Sequence, residues 1–209
     1  MYKKIIELCF MLILMNKVSE SQVLQFGTCA EVETMKYFDL ERFLGLWYEI
    51  ARFPTWYEDY GNCAYKTIQY CGRRIEIEHV YVRDGIQFVL HVNSSYYPGD
   101  EAIFTIQENN IDPVGIPLTV ISTDYSNYAL MYGCRSKDDV GIKYLSAWIL
   151  SREPTLSEDT YQNVVQELNT VPNANVVFLE KVEQREEKCN FHWTAHVQAV
   201  TSNNTDIEE

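Results

Sequence analysis

The sequence predicts an all-β fold, either a sandwich or an up-and-down barrel, followed by one α-helix. Three observations carry this. Eight short runs rich in aromatic and β-branched residues fall between positions 46 and 151, joined mostly by short turns. One amphipathic helical pattern follows them. The chain has 209 residues, 46% of them hydrophobic, which is enough for one domain with a sizeable core.

The first run, 47–53, is aromatic and β-branched and ends at Pro54. The second, 63–70, ends before Gly72. The third, 74–82, alternates, with Ile75, Ile77, His79 and Tyr81 on one side and Glu76, Glu78 and Val80 on the other. Asp84-Gly85 is a hairpin signal, after which 88–93 runs back. Further runs are 103–107, 118–123, 127–134 and 143–150. Thr155 with Glu158 reads as a capping box after Pro154, and Val164, Val165, Leu168 and Val171 recur at helical spacing up to Pro172. Residues 176–179 read as a last short strand. Residues 191–209 read as a polar, disordered tail.

The N-terminus bears on compartment. Lys3 and Lys4 precede an apolar stretch, 5–15, interrupted only by Glu7, and Ser19 and Ser21 suit a cut after Ser21. Residues 1–21 therefore read as a secretory signal peptide, and the protein as extracellular. No later stretch has transmembrane length. Cys9 leaves with the signal, so Cys29, Cys63, Cys71, Cys134 and Cys189 enter an oxidising compartment, where most should pair. Five is odd, so one is left over or joins two chains. Asn93-Ser94-Ser95 and Asn203-Asn204-Thr205 fit the glycosylation pattern. A glycan on Asn93 demands an outward side chain, which puts Phe88, Leu90 and Val92 inward. The net charge of −13, with no basic run, argues against nucleic acid and anionic membranes as partners.

Three short signatures sit on this framework: Gly45-Leu46-Trp47-Tyr48, Thr123-Asp124-Tyr125, and Arg152 at the end of Ala147-Trp148-Ile149-Leu150-Ser151-Arg152. In that order and spacing the chain, over residues 28–190, resembles the lipocalin family. The longer runs 47–54, 122–129 and 147–152 make it most similar to the group of apolipoprotein D and the insect bilin-binding proteins. The resemblance implies an eight-stranded antiparallel up-and-down barrel with the helix packed outside, spanning residues 22–190 as one domain. It implies disulfides Cys29–Cys134 and Cys63–Cys189. It also implies structural roles for Gly45, Trp47, Thr123, Asp124, Tyr125 and Arg152, with the Arg152 guanidinium over the Trp47 ring at the closed end.

Alternation within such a barrel nominates a mainly apolar ligand wall with a few polar points: Ile68, His79, Tyr81, Phe88, Leu90, Leu118, Met131, Tyr144, Ser146 and Trp148. Ile75, Ile77, Val92, Ile116, Val120, Ala129 and Gly133 share the inward phase. Lys66 shares the phase of Ile68 and is expected to snorkel to the rim. Trp56, Tyr57 and Tyr60, with Ile111 and Val114, are expected to form a lid, or a patch touching a lipoprotein or receptor, or equally to pack on one another within the loop.

The resulting expectation is a secreted carrier of a small hydrophobic ligand: a biliverdin-type pigment, a fatty acid, a sterol or a retinoid. No cofactor is required; a tetrapyrrole would be cargo. One alternative is an isomerase using Cys71 as a free thiol, which the outward phase of Cys71 and its single neighbouring cation, Arg73, disfavour. Cys71 fits better as an intermolecular disulfide. A lipocalin that binds or inhibits proteins through its loops is the other alternative. Cys189, His192 and His196 have ligand-like spacing, but Cys189 is assigned to a disulfide, so no metal site is assigned there.

Overall fold

The computed structural model describes residues 22–58, 61–71, 74–96 and 102–201. The signal segment, Tyr60, Gly72, Arg73 and Asn203 lie outside the described residues.

Strand β1 (Val23–Phe26) precedes a short helix, α1 (Leu40–Phe43), capped by the Asp39 carboxylate, which accepts from the Arg42 amide. Eight antiparallel strands then form the wall: β2 (Gly45–Arg52), β3 (Asn62–Cys71), β4 (Arg74–Arg83), β5 (Ile86–Ser95), β6 (Ile103–Ile106), β7 (Leu118–Thr123), β8 (Tyr128–Lys137) and β9 (Ile142–Ser151). Each pairs with the next, and β9 returns to pair with β2, so the sheet closes on itself. Closure removes free edges and leaves an interior to fill. Strand β1 extends the same edge of β9 beyond β2, pairing Val23 with Leu145.

Strand β9 is buried on both faces. Trp148 and Leu150 point into the barrel, while Leu145, Ala147 and Ile149 pack beneath α2 (Glu158–Leu168) against Val164 and Leu168. Helix α2 is capped by Ser157, whose hydroxyl accepts from the Thr160 amide. That corrects the expected Thr155–Glu158 capping box. Glu158 is itself the first helical residue and so cannot reach back from the third. Residues 176–178 form a 3-10 turn rather than a strand; the pairing falls just beyond, where β10 (Glu180–Lys181) meets Arg52 and Ala51.

The tail also differs from expectation. Strand β11 (Trp193–Gln198) runs parallel to β5, from Trp193 opposite Ile86 to Gln198 opposite His91. It lies on the β5 edge that β6 leaves unpaired, since β6 meets β5 only at Ser94 and Ser95. Val197 and Ala199 pack inward against the cluster of Ala64, Tyr81, Leu90 and Ile111. Burying that row, and pairing an otherwise open edge, is the physical reason the segment is ordered.

Both disulfides pair as the resemblance implies, Cys29–Cys134 and Cys63–Cys189. They close loops of 105 and 126 residues, each worth up to about 4–5 kcal/mol in the chain-entropy picture. Cys71 is free and exposed.

Candidate functional site

The closed end is a packed apolar plug. Phe43, Trp47, Ile68, Phe104, Met131 and Leu150 are essentially inaccessible there. The Trp47 indole donates to the Phe43 carbonyl at 2.8 Å. The Arg152 guanidinium lies 3.7 Å from the Trp47 ring centroid and donates to the carbonyls of Arg42, Leu46 and Tyr125. Gly45 has φ +98°, and a Cβ there would lie 3.5 Å from that guanidinium, so the turn into β2 suits glycine. The Asp124 carboxylate accepts from the amides of Ser126, Asn127 and Tyr128, and the Thr123 hydroxyl accepts from that of Tyr125. Tyr125 returns its hydroxyl to accept from the Asp39 amide. All six signature residues therefore build the closed end.

Above this plug the interior becomes ionic. Glu49 and Glu58 are fully buried, as nearly are Arg52, Lys66 and His79. Lys66 Nζ is 2.7 Å from Glu49 Oε1, 3.4 Å from Glu58 Oε1 and 3.0 Å from His79 Nδ1. His79 Nε2 is 3.1 Å from Glu49 Oε1, and His79 Nδ1 is 2.8 Å from Glu58 Oε1. Arg52 pairs with Glu49 at 2.9 Å and Glu58 at 3.1 Å, and donates to the carbonyls of Glu58 and Gly61. Burial opposes ionisation of Glu49, but the charges of Lys66, His79 and Arg52 outweigh it and hold its carboxyl well below the usual range. Burial and the Glu49 charge likewise oppose ionisation of Glu58; His79, Lys66 and Arg52 prevail and lower it too. For Arg52, burial works against its charge, and the two carboxylates more than restore it. Two anions thus face an ammonium and a guanidinium, with His79 between them.

Sequence reasoning missed Glu49, Arg52 and Glu58. A β-bulge between Glu49 and Ala51 shifts the pairing with β9. Trp47 and Glu49 point inward, and so does Arg52, while Ala51 and Phe53 turn out beneath α2. The available signal was that Glu49 sits two residues after inward Trp47. Glu58 comes from the loop between β2 and β3 and had no local signal. Lys66 does not reach the rim. It is 2% exposed, because two buried carboxylates hold its ammonium and the Trp148 ring lies 4.6 Å away.

A cavity of about 40 Å³ lies beside this cluster. His79, Leu90, Leu118, Ser146 and Trp148 line it, as expected of them, and so do Gln22, Tyr57, Lys66, Ile77, Val92 and Ile116. The other nominated residues are elsewhere. Ile68 and Met131 belong to the closed-end plug, because the plug fills the lower barrel. Tyr81 stacks on Phe88 at 5.1 Å, and Tyr144 meets Trp56 edge-on at 5.9 Å; these three flank the mouth rather than the cavity wall. Among the described residues, three buried polar atoms of wall residues have no hydrogen-bond partner: His79 Nε2, which faces Glu49 as an ion pair, and Trp148 Nε1 and Gln22 Oε1, which face no charge partner. The Ser146 hydroxyl, on the same wall, accepts from Gln22 Nε2 at 3.1 Å.

Two loops meet over the mouth. The Trp56 indole donates to the Ile111 carbonyl at 2.9 Å, and Asp112 accepts from the amides of Val114, Gly115 and Ile116. Ile111 and Val114 are buried, so these aromatic and aliphatic side chains pack on each other rather than forming an exposed apolar patch. Cys71 is not on the cavity wall. Asn93 is exposed on the outer face of β5.

A barrel plugged at one end, roofed by loops at the other and holding a lined cavity between defines a class, the small-molecule-holding β-barrels. Residues 44–183 match the lipocalin / cytosolic fatty-acid binding protein family, and the chain belongs to it. Bilin-binding protein of Pieris brassicae is 27% identical over 143 residues, covering 66% of this chain and 75% of that protein. Apolipoprotein D of Cavia porcellus is 29% identical over 168 residues, covering 78% and 85%. The solved structure of insecticyanin from Manduca sexta superposes with a TM-score of 0.72 at 24% identity, over 84% of this chain and 96% of that one, and has the same fold.

Proposed function

We propose that this protein is a secreted carrier that holds a small, mainly apolar ligand in the barrel without chemistry. The observation that carries this is the cavity. Its wall is aliphatic at Ile77, Leu90, Val92 and Leu118, yet it buries an indole donor and an amide acceptor that no described residue satisfies. An unsatisfied buried polar group costs about 1–3 kcal/mol, which a ligand hydroxyl or carbonyl beside Trp148 and Gln22 would recover.

The charge pattern narrows the ligand class. Lys66 lines the cavity but is already paired with Glu49 and Glu58, and Asp112 stands on the same wall, so a ligand carboxylate there would meet a committed cation and an anion. This favours a neutral polar end, as in a sterol or retinol, over a fatty acid. A pigment of the bilin type, suggested by the Pieris relative, would have to keep its propionates at the mouth. Pockets that hold drug-sized ligands measure about 300–1,000 Å³. Cargo of that size therefore enters only when the loop carrying Trp56, Tyr57 and Glu58 lifts.

Residues 1–21 fit a secretion signal, and two disulfides suit an oxidising compartment. Exposed Asn93 fits a glycan acceptor, Asn203 is a second sequon, and exposed Cys71 suits a bond to another chain. The test is native mass spectrometry of protein secreted by a eukaryotic host, without detergent or reductant. It is followed by titration with retinol, cholesterol, a fatty acid and biliverdin. Saturable uptake of a neutral amphiphile supports the reading. Preference for the fatty acid overturns the charge argument, and uptake of none overturns the carrier.

A further inference from the structure

On the outer face of the barrel, away from the cavity, three adjacent strands bring four side chains together. Glu76 and Glu78 stand on one face of β4, His91 stands opposite Glu78 on β5, and His196 comes from the tail strand β11. His91 Nδ1 lies 3.2 Å from Glu76 Oε1 and 3.4 Å from Glu78 Oε1, and one donor atom from each of these three lies within 4.8 Å of the others. On the far side of the same ring, His91 Nε2 lies 3.2 Å from His196 Nδ1, with the two imidazoles stacked.

We propose that Glu76, Glu78 and His91 form a divalent transition-metal site, best suited to zinc, with His196 as its orienting partner. Donors bound about 2.0–2.1 Å from a tetrahedral zinc stand about 3.3 Å apart, which the two His91–carboxylate separations already match. Two carboxylates and a neutral imidazole bring two negative charges, which a dication neutralises. Side-chain exposures of 17% for His91, 20% for Glu76 and 30% for Glu78 leave the donors partly shielded, with one coordination position open to water. A metal-bound imidazole is normally fixed by a hydrogen bond from its other ring nitrogen; here His91 Nε2 has an acceptor in His196 Nδ1.

The buried triad inside the barrel is the instructive contrast. Glu49, Glu58 and His79 also place donor atoms within 4.8 Å of one another. There, however, the Lys66 ammonium already sits 2.7 Å from Glu49 and 3.0 Å from His79, occupying the place of a cation. Among the described residues, no lysine or arginine is paired with the outer donors in the same way. A metal on Glu76, Glu78 and His91 would also favour the position of His196, and so would tie the tail strand to the barrel wall.

The test uses the full secreted chain, dialysed against zinc alone in a non-coordinating buffer. It is run with and without the N-glycan, because Asn93 is the register partner of Glu76. One zinc per chain and a rise in Tm reversed by a chelator are expected. His91→Gln should abolish both effects, and Glu76→Gln with Glu78→Gln should do the same. His196→Gln should weaken binding about 10–100-fold, as loss of an orienting partner does. A Cys71→Ser control removes the exposed thiol as a competing ligand. No zinc uptake at millimolar concentration overturns the proposal, and so does uptake unchanged by His91→Gln. Ligand uptake in the barrel is read separately, so either reading can fail without the other.

Discussion

Around Trp47 and Ile68 the barrel is filled by side chains that need only each other. One level higher, Glu49, Arg52, Glu58, Lys66 and His79 fill the same barrel with charges that need every partner present. The closed end is stable because apolar atoms leave water and Arg152 ties three carbonyls over the Trp47 ring. The ionic level stands under a different rule. Burying ions costs several kcal/mol each, so a complete network is close to neutral for stability, while an incomplete one is strongly destabilising. What that level contributes instead is geometry. Arg52 and Glu58 anchor the mouth loop, and the cavity next to them is left small and specific.

The largest test of this contrast is Glu49→Ala. It strands Lys66 and Arg52 against one carboxylate and should cost about 3–5 kcal/mol by urea unfolding. Replacing Glu49, Lys66 and His79 together by apolar residues of similar size should cost much less. A triple variant as unstable as the single one would break the comparison.

Acid sharpens it further. Glu49 and Glu58 are both held below 4.5 in the folded protein, so the unfolded chain takes up protons first. Their contribution is complete above that value and is lost as pH falls through the folded values. Stability measured from pH 7 downward should stay level to about 4.5 and then decline. Glu49→Gln should flatten that decline.

At the closed end, Arg152→Met removes charged hydrogen bonds from a partly exposed site. A loss of about 1.5–3 kcal/mol is expected, with ligand affinity unchanged in a fluorescence titration. The smallest expected effect is Trp148→Phe. It keeps an aromatic ring but removes the unpartnered indole donor, and should lower affinity for a neutral amphiphile by about 0.5–1.5 kcal/mol. Equal affinity would place the ligand's polar end elsewhere.

Different parts of the molecule were legible to different degrees. The strand at 74–82 announced its inward face by alternation, and His79 is where that pattern puts it. The tail carries its own alternation, Ala195, Val197 and Ala199 against Thr194, His196 and Gln198, with Trp193 left exposed at its start. It reads as polar because only one row is apolar, and that row pays off only when an unpaired edge of β5 is available. Lys66 had the right phase and the wrong destination. A lysine stays inside only if buried carboxylates meet it, and those come from a bulged strand and a loop.

The sequence by itself determined eight short strands followed by one helix; the family resemblance added the closed barrel, the helix packed outside it, the signature residues at the plugged end and both disulfides. These rest on period-2 and helical patterns, on turn residues, and on side chains whose neighbours lie close in the chain or are imposed by the family's topology. Only the tertiary structure decided the ionic level, the roofed cavity, the tail strand and the outer cluster of Glu76, Glu78, His91 and His196. Each depends on groups apart in the chain, 8 residues for Glu58 and Lys66 and 105 for His91 and His196, meeting at angstrom distances. A one-residue bulge at Ile50 was enough to reverse which side chains face the interior.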